Sequence, residues 1–281
     1  MDETVVQIGK AGRMLGVLSA PDGESAPNAP VVLMFNAGFL HHVGPFRLWV
    51  EVARELAARN IPSLRFDLNG LGDSAPASNP DIHQVQLATE NLIDAMNLVE
   101  SRLGLREFIV FGLCSGADYA HPAAKADARI RGVVFIDGYG YRTKSYWLYQ
   151  QLNRFTSPRR WKSLIKRSLA RDLSEREKAQ ELAPELMDDT GREFPTVDQV
   201  QSEILAFLQE GRRLHYIYTA GVPEYYNHEH QFWEMFPRLR PQAGLSCRYY
   251  PTTDHTFSLV SEREELKSAL LGFVKTQSST K

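Results

Sequence analysis

The segment Phe108 to Ala117 reads FIVFGLCSGA, an apolar strand-forming run that passes through a turn into a helical stretch. A residue at the apex of such a strand-to-helix turn is held in a strained conformation. The residues two before and two after it crowd together, so both must be small. Centring the turn on Cys114 puts Gly112 and Gly116 in those places, whereas centring it on Ser115 would put Leu113 and Ala117 there. The frame selects Cys114. A thiol at a helix N-terminus meets free backbone N–H groups and the positive end of the macrodipole, and cysteine pKa values fall there from about 8.5 into the range of roughly 3.5 to 7.5. Such a thiol is equipped to attack a carbonyl. A free cysteine without this context is a small buried hydrophobe, which is the reading for Cys247, inside an apolar strand.

A nucleophile needs a base from elsewhere in the chain. His255 lies in Pro251-Thr252-Thr253-Asp254-His255-Thr256-Phe257, after the last strand and before the closing helix. A histidine there projects over the carboxyl ends of the strands, where open α/β sheets place their sites. Of the other histidines, His215 begins a strand, His228 and His230 sit on a solvated helix face, and His41 and His42 follow a strand end and could shape the substrate pocket. The carboxylate that orients the base is expected in the turn after Tyr216 to Thr219, with Glu224 the first choice and Asp137, at the end of the preceding core strand, its rival. Asp254 adjoins His255 in sequence and reads as a loop-stabilising residue. Acyl transfer also needs two N–H donors for the developing oxyanion. One is the N–H of Ser115; the other comes from Gly38 or Phe39 in the loop Asn36-Ala37-Gly38-Phe39.

These residues must be positioned by strands and helices in alternation, the pattern of an α/β fold with a mostly parallel sheet. Residues 4–9 and 13–19 read as an opening hairpin. The strand set continues with Val31 to Phe35, Ser63 to Phe66, Phe108 to Phe111, Gly132 to Ile136, Tyr216 to Thr219 and Cys247 to Tyr250. Phe46, Trp49, Val50, Ala53, Leu56 and Ala57 share one buried helix face, and Val85, Leu92, Met96, Val99 and Leu103 mark a long helix starting near Pro80-Asp81. Ser261 with Glu264 forms a capping box for the closing helix. Nearly eighty residues separate Ile136 from Tyr216 with helical patterns and no strand, so an α-helical lid is expected. The division is a core of residues 1–137 and 214–281 with a lid of 138–213.

The chain resembles the α/β-hydrolases over nearly its whole length. The motifs that carry the resemblance are the loop Asn36-Ala37-Gly38, the D-x-x-G-x-G-x-S turn Asp67-Leu68-Asn69-Gly70-Leu71-Gly72-Asp73-Ser74, the elbow at Cys114 and the Asp-His-Thr-Phe loop, in that order. Most members carry serine in the elbow. The cysteine is similar to that of dienelactone hydrolases, polyhydroxyalkanoate synthases and exosortase-associated hydrolases. The resemblance implies a mostly parallel central sheet flanked by helices and an enzyme acting on a thioester or activated ester, by hydrolysis or transfer. The alternative is a ligand-binding or interaction protein on a hydrolase scaffold without turnover.

Within the insertion, nine positive charges run from Arg142 to Arg171 without an acid, among them Arg159, Arg160 and Lys162, with aromatic residues interleaved. A solvated face paired with the acidic stretch that follows accounts for such a run. The functional alternative is a docking surface for a phosphorylated or acidic acyl donor such as coenzyme A or an acyl carrier protein.

The whole chain bounds these readings. Its 281 residues, 43% hydrophobic, suffice for a large core, and no apolar run approaches the roughly 20 residues of a membrane-spanning helix. With 32 basic against 34 acidic residues nothing points to nucleic acid. Two cysteines are too few for a disulfide framework, and the start MDETVVQIGK lacks the basic and apolar regions of a signal peptide, so a reducing cytoplasm is expected. The residue patterns call for no cofactor and no metal.

Overall fold

Val31, Val32, Leu33 and Met34 are all inaccessible to solvent, as a strand covered on both faces must be. They form β3 (Val31–Met34) near the middle of a sheet in the computed structural model, which describes residues 1–9, 12–23, 29–156 and 194–278. The other strands are β1 (Asp2–Ile8), β2 (Met14–Ala20), β4 (Ser63–Phe66), β5 (Phe108–Leu113), β6 (Ile130–Ile136), β7 (Arg213–Thr219) and β8 (Leu245–Tyr250). Their order is β1-β2-β4-β3-β5-β6-β7-β8. The first hairpin is antiparallel and β2 runs antiparallel to β4; every later pairing is parallel.

Alternation along β3 divides the core into two layers. Val31 and Leu33 lie on the side of α2 (Gln84–Leu103), α3 (Ser115–Ala126) and α5 (Val197–Gln209), in one hydrophobic cluster with Leu92, Met96, Ala120 and Ile204. Val32 and Met34 face α1 (Leu48–Ala57) and α7 (Val260–Ser278), packing with Trp49, Val52, Leu266 and Leu270. The short α6 (Gln231–Met235) and the helix α4 (Lys144–Thr156) complete the described α-helices, and a 3₁₀ turn at Pro45–Arg47 precedes α1. Strand order, two helical layers and the position of the elbow together make this the α/β-hydrolase fold, with a mostly parallel sheet flanked by helices.

Some details depart from the periodicity. Phe46, expected on the buried face of α1, is 55% exposed, because Phe46 and Arg47 take positive φ values of 48° and 65° and rotate the chain off the helical phase. The long helix begins at Gln84 rather than near Pro80. The closing helix begins at Val260, so Ser261 lies inside its first turn, and the Glu264 carboxylate sits 2.7 Å from Lys267 instead of closing a capping box. Within the 138–213 insertion, α5 buries Val200, Ile204 and Phe207 against the sheet. Arg159, Arg160, Lys162, Lys166, Arg167 and Arg171 lie outside the described residues. No helix among the described residues is long and apolar enough to cross a membrane.

Candidate active site

Cys114 stands between β5 and α3 with φ 57° and ψ −125°, a combination closed to most side chains and imposed here by the turn. The flanking glycines explain how the turn fits. A Cβ added at Gly112 would overlap the carbonyl oxygen of Gly116 and lie 2.6 Å from Ala117 Cα. One added at Gly116 would lie 2.7 Å from the carbonyl oxygen of Asn36. The crowding expected of a turn centred on Cys114 is therefore present at both positions.

The loop after β8 brings His255 to this turn, where the Cys114 side chain interacts with the imidazole and raises its pKa. Its Nδ1 lies 2.7 Å from Asp137 Oδ2, which leaves Nε2 for the sulfur. The expectation that Glu224 would come first is corrected here. Glu224 is exposed, and its backbone carbonyl accepts from Arg142 Nε and the Tyr146 hydroxyl. Asp137 instead ends β6 with a fully buried carboxylate that accepts from the Thr219 N–H and hydroxyl, both at 2.7 Å. The cause is topological: β6 and β7 are parallel neighbours, so the end of β7 delivers Thr219 beside the end of β6. Burial alone would lower the basicity of His255, but hydrogen bonds to Asp137 and Cys114 override it and push the imidazole up to about 10. Asp254 holds the loop as expected, accepting from the amides of Thr256 and Ser258 at 2.8 and 3.1 Å.

Sequence left open which amide, Gly38 or Phe39, faces the nucleophile. In the structure the Gly38 N–H donates to Ser115 Oγ at 2.8 Å, so this amide is engaged. The Phe39 N–H has no hydrogen-bond partner among the described residues, and its side chain is 94% exposed. The Ser115 N–H, in the first turn of α3, is one of the amides that a helix leaves without an internal partner. Asn36 steadies the loop by donating from Nδ2 to the Leu40 carbonyl at 2.8 Å.

The remaining histidines are distributed differently from expectation. His42 is buried with Nδ1 2.7 Å from Asp67, and His41 Nε2 is held between Asp67 and Asp73, so one nitrogen of each ring engages these carboxylates. His215 lies in β7, 2.7 Å from Ser246 Oγ, as a strand residue should. His230 is exposed, but His228 is buried and stacked at 4.5 Å on Tyr149 of α4. Thr219 went unnoticed in the sequence, as did Tyr225, whose hydroxyl donates to the Asp137 carbonyl at 2.9 Å. The hydroxyl at the end of an apolar strand was the available signal for Thr219.

No protein-family model and no curated protein sequence matches the chain. Its shape is similar to several solved structures. One is an α/β serine hydrolase without a lid from Xanthomonas campestris, at TM-score 0.56 and 14% identity, covering 98% of this chain and 94% of that one. An esterase from Pyrococcus furiosus gives 0.59 at 13% identity over 98% and 91%. Est1E from Butyrivibrio proteoclasticus gives 0.57 at 11% identity over the whole of both chains. At such identities the likeness is one of fold.

Proposed function

We propose that the protein is an acyl-transfer enzyme in which Cys114 is the nucleophile, His255 the base and Asp137 the orienting carboxylate. One observation carries this reading: a cysteine at φ 57° on a strand-to-helix turn, interacting with an imidazole whose Nδ1 is 2.7 Å from a buried carboxylate. That is the nucleophile, base and orienter arrangement on which covalent catalysis depends.

The chemistry follows from these roles. With His255 held protonated at neutral pH, the sulfur opposite it is stabilised as thiolate and attacks the carbonyl of an acyl donor. The developing oxyanion is received by the N–H groups of Ser115 and Phe39. Collapse expels the leaving group, which takes the proton from His255 Nε2, and an acyl-cysteine remains. His255 then removes a proton from water or another acceptor as it attacks, and Cys114 departs as thiolate. Asp137 keeps the Nδ1 proton in place throughout. Thioesters suit this enzyme best, since thiol–thioester exchange is close to balanced. Similarity in fold to an esterase and a serine hydrolase supports hydrolysis as the outcome.

Coenzyme A or a carrier protein as the donor is part of the proposal, through the basic run that contains Arg159, Arg160 and Lys162. The test is mass spectrometry of the intact chain after incubation with a panel of acyl thioesters. The expected result is a mass increase equal to one acyl group, located on Cys114 and lost in Cys114→Ala. A chain that stays unmodified with every donor while releasing no thiol would support a binding protein on a hydrolase scaffold.

A further inference from the structure

The turn after β4 and the loop after β3 meet at a cluster of four metal-ligating side chains: His41, His42, Asp67 and Asp73. One ligand atom from each lies within 4.8 Å of all the others. His42 Nδ1 is 2.7 Å and His41 Nε2 3.3 Å from Asp67 Oδ2, and His41 Nε2 is also 2.8 Å from Asp73 Oδ2. Both imidazoles thus converge on the same oxygen of one buried carboxylate. The two rings are pressed together, their centroids 3.9 Å apart. We propose that His41, His42, Asp67 and Asp73 form a binding site for a divalent transition-metal ion of the zinc class, which fastens the loop carrying Gly38 and Phe39 to the turn after β4.

Three features of the cluster support this. Its donor set is two nitrogens and two oxygens, and imidazole with carboxylate suits zinc and its neighbours. Its formal charge suits a dication, because the two carboxylates would offset the charge of the ion. Its outer shell is already built: Asp67 Oδ1 accepts from Asn36 Nδ2 at 2.6 Å and from the His42 N–H at 2.7 Å, while Oδ2, which faces the rings, also accepts from the Asp73 N–H at 3.1 Å. Gly72 lets the turn wrap closely, since a Cβ there would overlap the Asp67 carboxylate. Outer-shell bonds of this kind fix a ligand's orientation.

The geometry needs a small adjustment. Bonds of about 2.0 Å in a tetrahedron put ligand atoms roughly 3.3 Å apart. One pair already has that separation, the 2.7 and 2.8 Å pairs must each open by about half an ångström, and the remaining pairs, which lie within 4.8 Å, must draw in to it. His41 and Asp73 can move, their side chains being 36% and 59% exposed, while His42 and Asp67 are buried. The ion would enter from the rim. With all four positions filled by protein the site is structural, not catalytic.

The experiment titrates chelator-treated protein with Zn²⁺ by calorimetry and with Co²⁺ by visible absorption, neither of which reads acyl transfer. One ion per chain is expected, with the cobalt spectrum of a four-coordinate site. Both His41→Ala and Asp73→Asn should weaken it by more than the roughly 10- to 100-fold that outer-shell changes cost. Cys114→Ala should leave it unchanged. Should His41→Ala lower the metal-free melting temperature, the more exposed Asp73→Asn carries the test. The proposal is overturned if no stoichiometric binding occurs, if neither rim variant weakens it, or if binding is lost in Cys114→Ala and kept in His41→Ala, which would place the ion on the thiol–imidazole pair.

Discussion

The amide of Gly38 donates to the hydroxyl of Ser115, the residue that follows Cys114, and so ties the loop after β3 to the elbow. The hydroxyl engages the Gly38 amide and, in the proposed mechanism, leaves that of Phe39 for the substrate. Ser115→Ala should therefore lower turnover with a thioester, by less than the roughly 100-fold or more that deleting an oxyanion donor costs. Alkylation of Cys114 by iodoacetamide, which develops no oxyanion, should keep its rate. Equal losses in both assays would mean that the hydroxyl supports the thiol and not the loop.

Asp137→Asn should reduce turnover on the order of 10³ to 10⁴-fold, the effect of disturbing the tautomer of a triad histidine. Glu224→Gln should stay close to wild type because that side chain is exposed. Steady-state rates of the two variants side by side decide the matter, and the opposite ranking would return the role to Glu224.

The raised pKa of His255 has a consequence for stability. A base whose pKa is higher in the folded chain than in the unfolded one favours folding while it is protonated. That contribution is complete below about pH 6.5 and is lost as pH rises through about 10. Urea unfolding of wild type and His255→Gln between those limits should show the difference in their midpoints shrinking as pH rises. A constant difference would contradict the shift.

Gly112→Ala should destabilise the fold by about 1–3 kcal/mol, since its methyl group meets backbone that cannot be repacked by rotating a side chain. The melting temperature measures this, and an unchanged value would mean that the elbow is looser than its contacts imply.

What could be read from residue types divides along a physical line. The elbow was legible because its constraint is local: glycines two before and two after Cys114 follow from sterics that any strand-to-helix turn imposes. The apolar strands were legible because burial on both faces leaves no polar position. The partner of His255 was not, since Asp137 and Glu224 both lie near strand ends, and only the pairing of β6 with β7 brings Thr219 to one of them. Likewise His228 sits among polar neighbours in sequence, yet the ring of Tyr149, 79 residues earlier, covers it. His41, His42 and Asp67 could not be grouped by spacing because they come from separate segments 25 residues apart.

The contacts of Asp137 also bear on the order in which the chain becomes competent during its synthesis. Its carboxylate waits for Thr219, 82 residues later, and for His255, 118 residues later. Contacts of such long sequence separation form late, after nearby ones have paid the cost of closing the chain. A nascent chain that has reached β6 therefore carries an elbow whose thiol has no imidazole beside it, and a carboxylate that stays hydrated until β7 docks. In the proposed mechanism, reactivity arrives only when the last segment before α7 folds into place, and the thiol lacks its base for most of the ribosome's passage.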